Sequence, residues 1–128
     1  MREPGLIEAN VSMGVDRLTD RDRPMELEKT HTPVIEAPER VRKGEPFACT
    51  IRLGAIPHDD KGSEHYVELV ELFADRQYLT RIEFTPRSAC RQIELTLCLD
   101  RDVRELRAYE RCNLHGTWLG ARGITVVD

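Results

Sequence analysis

The sequence predicts an all-β protein, an immunoglobulin-like antiparallel β-sandwich of about seven strands. Three observations carry that expectation. Apolar and polar residues alternate with a period of two over short stretches, as half-buried strands of an antiparallel sheet require. Turn residues separate those stretches at regular intervals. No stretch shows a convincing helical period.

Taken in order, residues 1–24 read as an irregular N-terminal arm, rich in charge (DRLTDRDRP) and poor in β-branched runs. The compact domain is expected over residues 25–128, starting near Met25. From Val34, VIEAPERVRKGEPFACTIRLG carries a Pro-Glu turn and a Lys-Gly-Glu-Pro turn, then a strand from Phe47 to Leu53. YVELVELF, after His65, sets Val67 and Leu69 against Glu68. YLTRIEF sets Leu79 or Ile82, with Phe84, against Arg81 and Glu83. QIELTLCLD alternates most cleanly: Ile93, Leu95, Leu97 and Leu99 point one way, and Gln92, Glu94, Thr96 and Cys98 the other. RELRAYERC alternates as well, and GITVVD closes the chain. Periodicity does not supply strand order.

The chain has 128 residues, the size of one ordinary domain, and is long enough to bury a core without disulfide staples. Nineteen basic and 23 acidic residues give a net charge of −4, so nothing in the charge balance calls for nucleic acid or an anionic membrane as partner. No apolar run approaches the roughly 18 residues that span a bilayer. The opening MREPGLIEANVSMG has one basic residue and no apolar stretch of the kind that directs secretion, so a cytoplasmic location is expected. Edge strands need cover in any open sheet, and pairing of subunits is one remedy.

Cysteine and histidine carry the chemistry. Cys49, Cys90, Cys98 and Cys112 include no C-x-x-C pair, which argues against zinc ribbons and rubredoxin-type centres. Reduced thiols are expected, with Cys49 and Cys98 as inert strand residues. Cys112 and His115 stand three apart across an Asn- and Gly-containing turn, where a soft thiolate and a neutral imidazole can face one point. Alone, such a pair is more often a turn with a buried thiol. His58 leaves one strand and His65 enters the next, joined by the loop DDKGSE, and His31 precedes a proline that extends the chain. Four histidines and one cysteine thus fall in three segments read as loops at strand ends, and no histidine is left over. Five such donors exceed the four of structural zinc and differ from the His₂Cys set of blue copper. Nitrogen-rich ligation with one thiolate and a vacancy suits redox iron acting on a small oxygen species.

The segments EKTHTPVIEAPERVRKGEPF, IPHDDKGSEHYVELVELF and CNLHGTW resemble, in the same order, the superoxide reductase family (neelaredoxin, and the iron domain of desulfoferrodoxin). CNLHGTW is the most specific of the three. The resemblance implies an immunoglobulin-like β-sandwich holding one Fe2+/Fe3+ by four equatorial histidines, His31, His58, His65 and His115, with Cys112 axial and the sixth position open. It implies reduction of superoxide to hydrogen peroxide, a rubredoxin-like electron donor, and a dimer or tetramer. No rubredoxin-like cysteine cluster precedes the domain, which fits the one-iron form. One departure stands out. Many members place a Glu and then a Lys directly before the first histidine, the Glu to cap the oxidised iron and the Lys to attract superoxide. Here Thr30 precedes His31, with Glu28 and Lys29 one residue further back. Either Glu28 and Lys29 keep the family's roles or Thr30 stands in the lysine's place, and Glu26 is a second candidate for the carboxylate.

Overall fold

The computed structural model describes residues 15–16, 22–23, 25–58, 65–86, 88–89 and 91–128. The first element among the described residues is a short helix that the alternation does not announce, α1 (Glu26–His31). Glu28 Oε1 accepts the Met25 N–H at 2.8 Å, which satisfies one donor left orphaned at the helix start. Pro33 ends the helix, because a residue before proline is pushed out of the helical region. Thr32 accordingly sits at φ −74°, ψ 115°.

Nine strands follow among the described residues, against about seven expected. They are β1 (Val34–Glu36), β2 (Arg40–Arg42), β3 (Phe47–Arg52), β4 (Val67–Ala74), β5 (Gln77–Glu83), β6 (Gln92–Leu97), β7 (Glu105–Cys112), β8 (Gly116–Gly123) and β9 (Thr125–Val127). The long strand missed by the sequence reading is β8. Its Gly116 and Gly120 fall on the inward face beside Trp118 and erase the apolar period there. Two sheets are antiparallel throughout, in the orders β5-β4-β7-β8 and β1-β3-β6, and β2 pairs with β9 in parallel.

The two antiparallel sheets share one core. Cys49 and Ile51 from β3 meet Val70 and Leu72 from β4 and Leu106 and Ala108 from β7. On β6 the alternation holds: Ile93, Leu95 and Leu97 pack against the core, while Gln92, Glu94 and Thr96 are exposed. On β4 it does not. Val67 pairs with Cys112, but the next partner, Arg111, faces Leu69, so Glu68 is the extra residue of a β-bulge. The bulge reverses the alternation. Val67, Val70, Leu72 and Ala74 line the core, and Leu69 lies outside it, contrary to the grouping of Val67 with Leu69.

Most of the expected arm lies outside the described residues. Asp16 joins the outer edge of β8 through its N–H to Thr117 O and its carbonyl to the Leu119 N–H, both at 2.9 Å. No helix among the described residues is long and apolar enough to cross a membrane.

Candidate metal centre

Alternate residues of β7, Leu106, Ala108, Glu110 and Cys112, are all buried, so the strand delivers the Cys112 sulfur to one end of the core with no exposure to solvent. The chain then turns through Asn113, Leu114 and His115 to Gly116, whose φ of +82° is the left-handed backbone that glycine adopts without strain. That turn brings His115 Nδ1 to 3.7 Å from Cys112 Sγ. The Trp118 Nε1–H donates to His115 O at 3.1 Å and fixes the turn from β8.

His65 arrives by way of the Glu68 bulge. A straight β4 would put the residues on either side of His65 inward; the extra residue puts His65, two before Val67, on the Cys112 side. Two hydrogen bonds then tie the segments: the Tyr66 N–H donates to the Asn113 side chain at Oδ1 at 2.9 Å, and the Asn113 N–H to Tyr66 O at 3.2 Å. His58 ends the segment that leaves β3, and the loop between His58 and His65 lies outside the described residues.

His31 comes from α1 rather than from a loop, which corrects the expectation for that ligand. Its Nδ1 lies 2.9 Å from Leu27 O. A carbonyl only accepts, so Nδ1 carries the proton and Nε2 keeps its lone pair. That Nε2 is 3.2 Å from His115 Nδ1. Burial is the main cause that lowers the His31 pKa to about 4, aided by His58, His115 and His65 and opposed by the bond to Leu27. The ring is therefore neutral, as a ligand must be.

The four rings close a square. Successive centroids, His31–His58, His58–His65, His65–His115 and His115–His31, stand 4.7, 4.4, 4.9 and 4.9 Å apart. The diagonal His31–His65 is 6.1 Å. Donor atoms of His31, His58, His65 and Cys112 all lie within 4.8 Å of one another. Two ligands at about 2.1 Å on opposite sides of one ion stand about 4.2 Å apart. The spacing therefore suits a single ion, and the donor set suits iron. His58, His65 and His115 are half-buried, while His31 and Cys112 are fully buried.

Glu28 and Lys29 sit on α1, three and two residues before His31. Glu28 is 1% exposed, with Oε1 on the Met25 N–H. Lys29 Nζ is 3.9 Å from the Glu26 carboxylate. Thr30 Oγ1 lies 2.7 Å from His31 Nδ1, on the protonated side of the ring. Asn113, expected only to favour the turn, and Trp118, expected only to pack in the core or on the ligand loop, both hold that turn by hydrogen bonds. Cys49 is an inert thiol, its pKa pushed up to about 11 by burial. Cys98 is exposed and in no disulfide, and Cys90 lies outside the described residues.

Known proteins share this architecture. The family model described as Desulfoferrodoxin matches residues 24–121. A chain from Methanocaldococcus jannaschii, provisionally named a superoxide reductase, is 34% identical over 110 residues, covering 82% of this chain and 88% of its own length. The solved superoxide reductase (neelaredoxin) from Ignicoccus hospitalis aligns with a TM-score of 0.68 at 35% identity, over 77% of this chain and 82% of that one. A single-substitution variant of the same protein reaches a TM-score of 0.75 at 31% identity, over 91% and 97%. Since the matched stretch takes in every one of the five converging side chains, this chain belongs to the desulfoferrodoxin family, among its superoxide reductases.

Proposed function

We propose that the protein is a mononuclear non-haem iron superoxide reductase. The observation that carries this reading is the square of four imidazoles with the buried Cys112 sulfur close by; with all five as ligands, a six-coordinate iron would keep one position for substrate. His31, His58, His65, His115 and Cys112 would hold the iron. When bound, iron supplies one electron; with two protons this takes superoxide to hydrogen peroxide. The chain's own residues do the rest. Cys112, fully buried at the end of β7, would supply the one sulfur ligand. The Leu27 carbonyl fixes the His31 tautomer. Lys29 is the cation nearest the first ligand in sequence and would draw the substrate anion once released from Glu26, while Glu28 or Glu26 would supply the family's carboxylate. A rubredoxin-like protein would return the electron, and a dimer or tetramer would cover the open strand edges.

The test is metal analysis and an optical spectrum of the oxidised protein, followed by superoxide consumption. About one iron per chain, a thiolate-to-iron charge-transfer band, and superoxide loss without dioxygen release are expected. Iron and colour without turnover would point to an electron-transfer module on the same scaffold, a reading favoured by the pairing of Lys29 with Glu26. A colourless protein with trace iron overturns both.

A further inference from the structure

We propose that Gly54 and Gly120 are positioning residues for the metal centre: together they form a backbone clamp that sets His31 against His58. The inference rests on the iron-site reading above and extends it to residues that touch no ligand atom.

His31 lies between two stretches of neighbouring backbone, Lys29–Thr30 and Pro33, each set close against a glycine. On one side, a Cβ at Gly54 would stand 2.5 Å from Thr30 O and 2.8 Å from Lys29 O. On the other, a Cβ at Gly120 would overlap Pro33 O and stand 3.2 Å from Pro33 Cγ. Neither glycine adopts the left-handed backbone, so both positions demand space rather than unusual dihedral angles. Carbon and oxygen do not approach to such distances, and the nearest obstructing atoms, the carbonyls of Lys29, Thr30 and Pro33, are backbone and cannot rotate away.

The two contacts come from different parts of the fold: Gly54 lies in the segment just past β3, and Gly120 lies within β8. The peptide from Thr30 to Pro33 is therefore held from two sides, with the 2%-exposed His31 ring between. Gly54 also belongs to the segment that carries a second ligand. The Ile56 N–H, two residues beyond Gly54 and two before His58, donates to Lys29 O at 3.2 Å. A side chain at Gly54 would push the end of α1 away from this segment and open the His31–His58 spacing, now 4.7 Å between centroids.

Two ring-to-ring spacings of the square, His31–His58 and His31–His115, thus depend on close backbone packing rather than on hydrogen bonds to the imidazoles alone. Such support is expected to matter about as much as the outer contacts that orient metal ligands, on the order of 10–100-fold in affinity.

The test is titration of the metal-free full chain with Co(II), read by its ligand-field and thiolate absorption. The wild-type chain should take up one Co(II). Gly54→Ala and Gly120→Ala should bind roughly tenfold more weakly or worse, with circular dichroism unchanged. Gly123→Ala is the control, because a Cβ there would stand at an ordinary 3.9 Å from Arg104 O; it should bind as the wild type does. In a His31→Ala background, Gly54→Ala should cost no further affinity, since the clamp acts through His31. Should Gly120→Ala fail to fold, Gly54→Ala carries the test alone. Wild-type affinity in Gly54→Ala, or an equal loss in the His31→Ala background, overturns the clamp. A wild-type chain that takes up no Co(II) overturns the metal-centre reading itself, and the clamp with it.

Discussion

A single carbonyl, that of Leu27, decides which nitrogen of His31 faces the other ligands. The same burial that makes this bond count also makes the charged ring costly. The folded pKa of about 4 lies below the ordinary 6.5, so the unfolded chain takes up a proton first as pH falls. Stability of the metal-free protein from this group is therefore complete above pH 6.5 and lost progressively toward pH 4. The loss should be on the order of 2–3 kcal/mol, read as a falling urea midpoint between pH 7 and pH 4.5, and His31→Gln should flatten the dependence. Cys112 is the other decisive residue. Cys112→Ser should leave the strands intact by circular dichroism but abolish the thiolate-to-iron absorption of the oxidised protein. A band that persists would place the thiolate elsewhere.

One extra residue in β4 has a larger effect than any substitution on that strand. The Glu68 bulge lets Val67 and Val70 share the core and turns His65 toward Cys112. Deleting Glu68 should restore simple alternation below Leu69 and carry His65 to the outer face. The expected product is a folded protein with one histidine fewer at the centre, seen as metal affinity lowered to the level of His65→Ala. Affinity equal to the wild type would show that the loop after His58, not the bulge, directs His65. The turn from Cys112 to Gly116 is a second such device. Asn113 bonds to Tyr66, Trp118 bonds to His115, and together they join the β4, β7 and β8 ends into one frame.

Across the whole molecule, the centre bridges pieces that are far apart in sequence: α1, the end of the segment after β3, the start of β4 and the β7–β8 turn. A ligand that binds only the folded chain stabilises it by mass action, by about 2.7 kcal/mol at a free concentration 100 times its Kd. Anaerobic Fe(II) should therefore raise the midpoint of thermal unfolding, and the rise should vanish in His58→Ala. An equal rise in that variant would mean that iron binds elsewhere on the chain. The helix and the two sheets cannot separate without pulling the square apart, so metal release and opening of this end of the sandwich should be one event.

The sequence by itself determined the strand segments of β3, β6 and β7, because alternation records which face is buried. It also singled out His31, His58, His65, His115 and Cys112 as candidate donors, the chain's full set of imidazoles together with one turn-borne thiol, and the structure brings these side chains together. Helix α1 was hidden, since six residues hold too few turns for a period to show. Strand β8 was hidden because glycine leaves no side chain to read, and the parity of β4 because a bulge exists only relative to a partner strand. The square itself, and the two glycines that wedge His31 into it, were decided by tertiary structure alone. They are distances between backbones that the chain order keeps far apart, and no local pattern of residues encodes a distance of that kind.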